Sequence, residues 1–154
     1  MKIKWKTLFI SIAIPLLVGL LSSLLTFSNM STFQTINKPP GSLPAYLFPI
    51  VWTILYVFMG IASYLVYTSH YYNRYNVLFI YELQLIFNFF WSIIFFNYQA
   101  YLFAFVWLVI LWILVLITTI QFYKINKFAG ILMIPYLLWI TFAGYLNFMI
   151  YLLN

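Results

Sequence analysis

The chain has 154 residues, of which 67% are hydrophobic, 24% aromatic and 5% charged, with a formal net charge of +6. Soluble domains carry about 25% charged residues, so a surface this apolar is expected to face lipid. The seven basic residues are scattered at segment ends, which predicts no nucleic-acid partner, and the lack of cysteine excludes disulfide and thiol chemistry.

A membrane-spanning helix needs about 20 mostly apolar residues, and five stretches reach that length. The first covers residues 8–27. Its basic start and apolar run have the look of a signal peptide, but Ser22 to Phe27 stays largely apolar without a small-x-small cleavage site. It is therefore expected to remain as a span. Pro15, Gly19, Ser22 and Thr26 share one of its faces. Residues 28–45 contain Pro39, Pro40, Gly41 and Pro44, which cannot continue a helix and predict a structured external loop or lid. The second span covers 46–68, with Pro49, Trp52, Tyr56 and Gly60 on one stripe. The third covers 77–96, with Gln84, Asn88, Trp91 and Phe95 aligned. The fourth, 101–123, has no polar residue from Leu102 to Ile117 apart from its tryptophans and reads as a supporting helix. The fifth, 130–152, aligns Pro135, Trp139, Phe142, Ala143 and Leu146, with Asn147 at the edge. The fold class is all-α: one bundle of five transmembrane helices, because continuous apolar runs of this length do not suit the alternating strands of a barrel.

Lys2, Lys4, Lys6, Arg74, Lys124 and Lys127 fall on one side of this arrangement and only Lys38 on the other. The positive-inside rule then places the amino terminus in the cytoplasm, and the proline-rich loop and carboxyl terminus outside the cell membrane.

Polar groups within spans mark the protein interior. The amide, indole and hydroxyl groups of spans one, two, three and five suit a large, aromatic, weakly polar cavity for a flat hydrophobic ligand. A second reading is that Gln84 and Asn88 only join helices by hydrogen bonds. Trp5 suits an interfacial belt, and Trp107 and Trp112 suit lipid contact or packing. Glu82, the one acid, lies opposite the Gln84–Asn88 stripe, where it is expected to complement the helix dipole or pair with Arg74 or His70. His70 has no second ligand for a metal. There is no carboxylate pair, triad or phosphate loop, so the sequence predicts no metal, no required cofactor and no conventional acid–base chemistry.

The sequence resembles the translocator protein family, also called tryptophan-rich sensory proteins or peripheral-type benzodiazepine receptors. Lys38-Pro39-Pro40 precedes Pro49-x-x-Trp52-x-x-Leu55-Tyr56-x-x-Met59-Gly60. Gln84-Leu85-x-x-Asn88-x-x-Trp91 and Phe95-Phe96 match the family's third-span pattern, and Pro135-Tyr136-Leu137-x-Trp139 through Phe142-Ala143 and Leu146-Asn147 its fifth. The resemblance implies a five-helix bundle whose cavity opens toward the first loop. It implies binding of porphyrins and of synthetic isoquinoline carboxamide or benzodiazepine ligands, and a homodimer. The ligand-binding positions it implies are Trp52, Tyr56, Asn88, Trp91, Trp139, Phe142, Ala143, Leu146 and Asn147, with Phe33, Pro39, Pro40 and Pro44 in the lid. Leu146 and Tyr151 have no basic residue after them, so the family's animal-type sterol motif is incomplete.

The expectation is a porphyrin held between spans one, two, three and five, with Asn88 on a polar ligand edge. Trp52 and Trp139 are the candidate catalytic residues for light-dependent porphyrin degradation, as stacking partners or electron donors. A transporter of porphyrin or lipid and a ligand-responsive stress sensor are the alternatives.

Overall fold

Hydrocarbon offers the backbone no hydrogen bonds, so a spanning chain satisfies its own. The computed structural model, which describes residues 2–154, is accordingly helical throughout, with no strand among the described residues. The first span, α1 (Trp5–Thr26), runs through a 3-10 turn (Phe27–Asn29) into a short helix, α2 (Met30–Thr35). The others are α3 (Leu47–Tyr67), α4 (Arg74–Ser92), α5 (Tyr101–Ile125) and α6 (Lys127–Leu153). Five helical stretches are long and apolar enough to cross a membrane.

Three boundaries differ from expectation, each for a local reason. The segment 28–45 is helical in its first part, because no proline intervenes before Pro39; helix α2 ends where Ile36 becomes extended. The connection between the last two spans shrinks to Asn126. Its side-chain oxygen accepts the N–H groups of Phe128 (2.9 Å) and Ala129 (3.2 Å) and so starts α6 at once. At the far end of α4 the backbone widens into a π turn, Ile93–Asn97, a feature that often accompanies functional sites.

The helices close into a ring: α1 packs on α3, α3 on α6, α6 on α5, α5 on α4, and α4 back on α1. Small residues let backbones approach. At Gly60 a Cβ would collide with the Ile12 Cα and come within 2.9 Å of the Ser11 carbonyl oxygen, so glycine sets the α1–α3 crossing. The ring is apolar outside and holds its polar groups inside: Gln84, Asn88 and Asn147 are each at most 1% exposed, while Leu24 and Leu138 are more than 60% exposed. Trp107 and Trp112 are packing residues, since their indole N–H groups donate to the Phe87 carbonyl (2.8 Å) and the Thr141 hydroxyl (2.9 Å), joining α5 to α4 and α6.

The proline-rich loop is ordered by its own turn and by the end of α6. Pro39-Pro40-Gly41-Ser42 forms a turn closed by Ser42 N–H to the Pro39 carbonyl (3.3 Å), and Gly41 supplies the positive φ of 86° that such a turn needs. Asn37 N–H donates to the Asn154 side-chain oxygen (3.1 Å), and the Asn154 amide donates back to the Asn37 carbonyl (2.9 Å). The Tyr145 hydroxyl donates to the Pro40 carbonyl (3.2 Å).

Candidate functional site: a loop-capped aromatic cavity

A cavity of about 350 Å³ opens between α1, α2, α3, α4 and α6. Its lining runs from Leu16 to Phe33 on α1 and α2, from Phe48 to Tyr56 on α3, from Trp91 to Phe96 at the end of α4, and from Ala143 to Ile150 on α6. These are the ends of the four helices that converge on the proline-rich loop, so the cavity occupies that half of the bundle. The other half is solid: Val66, Tyr81, Phe122 and Met133 are at most 1% exposed. Helix α5 contributes nothing to the lining, consistent with a supporting role.

Two walls are aromatic. On α3, Trp52 stacks on Tyr56 (centroids 5.5 Å apart, 27° between planes), one turn apart on the same face. On α4, Trp91 lies against Phe95 (5.4 Å, 31°). The Trp91 indole N–H donates to the Asn147 side-chain oxygen (3.0 Å), and the Asn147 amide donates to the Tyr101 carbonyl (2.8 Å). Asn147 thus fixes the Trp91 ring and ties α6 to the start of α5. The roof is α2, where Met30 and Phe33 reach the cavity. Phe33 packs on Phe48 (6.3 Å), Phe95 (6.0 Å) and Phe96 (5.4 Å), and the Lys38 ammonium lies 4.8 Å from its ring centre.

Behind Tyr56 a chain of hydrogen bonds crosses the bundle. The Tyr56 hydroxyl donates to the Asn88 side-chain oxygen (3.2 Å), and the Asn88 amide donates to the Tyr136 hydroxyl (2.8 Å). Tyr136 donates in turn to the Gln84 side-chain oxygen (2.7 Å), and the Gln84 amide faces the Met59 sulfur (3.8 Å). Every member is buried, and together they join α3, α4 and α6. Gln84 and Asn88 therefore hold helices together, the second of the two readings given for them.

The structure brings Trp52, Tyr56, Trp91, Ala143, Leu146, Asn147 and Phe33 to the cavity surface. Asn88 stands behind Tyr56, with both ends of its amide engaged. Trp139 and Phe142 pack outside the lining; Trp139 lies edge-on to Trp52 (6.4 Å, 89°), and its buried indole N–H has no hydrogen-bond partner among the described residues. The two tryptophans are neighbours at the α3–α6 contact and do not face each other across the space, because α3 and α6 adjoin in the ring. Pro39, Pro40 and Pro44 lie outside the lining. Leu16, Ser23, Met30, Phe48, Thr53 and Ser92 line it without having been singled out. Each adjoins a stripe residue or sits on the unexpected α2, so a wider stripe would have found most of them.

Glu82 does not pair with Arg74. The Arg74 guanidinium donates to the Tyr71 carbonyl (3.4 Å) and the Tyr75 hydroxyl (3.1 Å).

Five apolar helices around an internal, loop-capped cavity define a multi-pass helical membrane protein. Residues 11–153 match the TspO/MBR family, and the chain belongs to it. It is 40% identical over 151 residues to the tryptophan-rich protein TspO of Chlorobaculum tepidum, covering 96% of both chains. It is 39% identical over 145 residues to the protein of the same name from Archaeoglobus fulgidus, covering 94% of both. It is 35% identical over 137 residues to translocator protein 2 of Canis lupus familiaris, covering 86% of this chain and 80% of that one.

Proposed function

We propose that the protein binds a porphyrin, or a flat hydrophobic ligand such as an isoquinoline carboxamide, in the loop-capped cavity. The observation that carries this is the pair of aromatic walls, Trp52–Tyr56 and Trp91–Phe95, around one slot. Offset aromatic contacts reward a flat π-system, and aromatic pairs are worth about 0.5–1.5 kcal/mol each beyond their buried area. The volume of about 350 Å³ is at the small end for ligand pockets, so a macrocycle enters as α2 and the loop draw back. Polar ligand edges meet the Ser22, Ser23 and Thr53 hydroxyls and the Tyr56 oxygen, while Asn88 positions Tyr56 from behind.

Light-dependent porphyrin degradation fits the same site, with Trp52 as the cavity-lining indole and Trp139 next to it. Transport of porphyrin or lipid needs a route to the opposite face, and the filled half around Tyr81, Phe122 and Met133 weighs against one. Stress sensing remains the alternative that the loop–α6 tether favours, because occupancy that lifts the loop also frees the end of α6. In the cell membrane the amino terminus faces the cytoplasm and the loop end faces out, by the charge asymmetry, and the protein acts as a homodimer.

Protoporphyrin titration followed by the porphyrin absorbance tests the reading. Ala143→Phe puts a ring into the cavity and is expected to weaken binding at least about tenfold, or about 1.4 kcal/mol. Leu138→Phe, on the outer surface, serves as the control. Binding by Ala143→Phe equal to wild type would place the ligand elsewhere and refute the proposal.

A further inference from the structure

Helices α1 and α3 are pinned together in the half of the bundle away from the loop. The Lys4 backbone N–H donates to the Tyr64 hydroxyl (2.9 Å), Ile12 crosses Gly60, and Gly19 lies against the Tyr56 ring. One turn nearer the loop stand Ser23 on α1 and Thr53 on α3, and each both lines the cavity and is exposed. Leu20 (54% exposed) and Pro49 share that double position. Every other lining residue is buried or half-buried. The exposed ones all belong to α1 and α3, so the cavity opens sideways between those two helices.

The other seams around the cavity are closed. The far end of α1 is tied to the π turn of α4: the Asn97 amide donates to the Leu25 carbonyl (3.1 Å), and the Asn29 amide donates to the Asn97 side-chain oxygen (2.8 Å). Among the described residues no hydrogen bond ties that end of α1 to α3. Between α3 and α6, Trp139 packs on Phe48 (5.7 Å) and Trp52 (6.4 Å). Between α4 and α6, Trp91 is bonded to Asn147. The roof rests on three phenylalanine rings, and Asn37 and Asn154 hold the loop to α6. Helix α3 has 21 residues and rises about 31 Å, which matches a hydrocarbon layer of about 30 Å. Thr53 then lies roughly 9 Å from the loop-side end of α3, so the window faces acyl chains and not water.

We propose that this window is the entrance of the cavity: a flat hydrophobic ligand dissolved in the loop-side leaflet slides edge-first between α1 and α3, without crossing water or passing under the loop. Ser23 and Thr53 are small side chains in a stretch where Leu20, Leu21, Leu24 and Leu25 are large and exposed, so they leave room for a ring edge. Pro15 has no N–H to give the Ser11 carbonyl, and α1 can bend between its pinned part and the part that lines the cavity. Such a bend widens the window as α2, which continues α1, draws back. This entrance deepens the porphyrin-binding reading above and rests on it.

The chain has no cysteine, so an introduced pair supplies the only thiols. Protoporphyrin is loaded into the full chain in liposomes, and Ser23→Cys is then joined to Thr53→Cys across the window by bifunctional methanethiosulfonates of graded length. Release to an excess of empty liposomes is followed by porphyrin fluorescence before cross-linking, after it, and after dithiothreitol. The cross-link is expected to slow release at least about tenfold, and the reductant to restore it. A cross-link that merely distorted the cavity would speed release. Unchanged or faster release overturns the entrance. Asn37→Cys joined to Asn154→Cys locks the loop to α6 and is expected to slow release less than the window cross-link does; an equal or greater slowing there also overturns the entrance. Protoporphyrin that does not bind the wild-type chain refutes the binding reading itself, which separates the two failures.

Discussion

Replacing Tyr136 by phenylalanine tests the hydrogen-bond chain that joins α3, α4 and α6. The hydroxyl accepts from Asn88 (2.8 Å) and donates to Gln84 (2.7 Å), so one deleted oxygen breaks two interhelical bonds. Such bonds in membrane proteins average about 0.6 kcal/mol and reach about 1.7. Two of them give roughly 1.2–3.4 kcal/mol. Repacking is the main relief: Gln84 and Asn88 are four residues apart on one face and can partly satisfy each other. We therefore expect a loss of about 1–3 kcal/mol, measured by equilibrium unfolding in mixed micelles titrated with dodecyl sulfate. The double variant Tyr136→Phe with Gln84→Leu removes the stranded carbonyl as well. Its loss should fall short of the sum of the single losses by at least about 0.5 kcal/mol, the coupling expected within one network. A single-variant loss under about 0.3 kcal/mol, within additivity error, would refute the view that these bonds hold the bundle.

Replacing Trp52 and Trp139 together by phenylalanine keeps ring area and removes both indoles; dark affinity for protoporphyrin should change by about tenfold or less, while light-driven loss of its absorbance should slow much more. Equal decay at equal occupancy would leave the pair as packing residues. Asn154→Ala cuts both bonds between its side chain and Asn37, so ligand exchange should speed up several-fold in stopped-flow fluorescence with helicity unchanged; an unchanged rate would show that the tether does not limit opening. Gly60→Leu drives a side chain into the Ile12 backbone and should destabilise by more than about 2 kcal/mol in the same unfolding assay. A cysteine at Ser42 should label from outside intact cells and one at Asn126 should not; the reverse pattern would invert the orientation.

The number of spans was legible because lipid imposes a length and a polarity that few sequences meet by accident. The stripes on α1, α3 and α4 were legible for the same reason: Ser22, Thr26, Tyr56, Gln84 and Asn88 had to point inward, and all are buried. What periodicity cannot give is distance along the axis and depth within the ring. Asn88 and Tyr56 share the interior, yet only Tyr56 reaches the cavity, because the α4 lining begins at Trp91, a turn beyond Asn88, and the Asn88 amide is spent behind Tyr56. Trp139 has the right helical phase but meets Trp52 edge-on at the α3–α6 contact. The helical roof was hidden because segment 28–45 carries its strongest signals, three prolines, in its second half.

Gly19 shows how the site depends on a residue with no chemistry of its own. A Cβ there would press into the Tyr56 ring, within 2.8 Å of its Cδ2. The missing side chain on α1 is what lets the Tyr56 ring lie against α1 while its hydroxyl reaches Asn88 on α4. With Tyr56 so placed, Trp52 can stack on it from the preceding turn, and the α3 wall becomes flat. The aromatic wall and the buried hydrogen-bond chain are therefore one construction, seen from its two sides. A larger residue at Gly19 would disturb both, moving Tyr56 off Asn88 and tilting Trp52 out of the stack, so the packing that holds the helices together also shapes the surface a ligand meets.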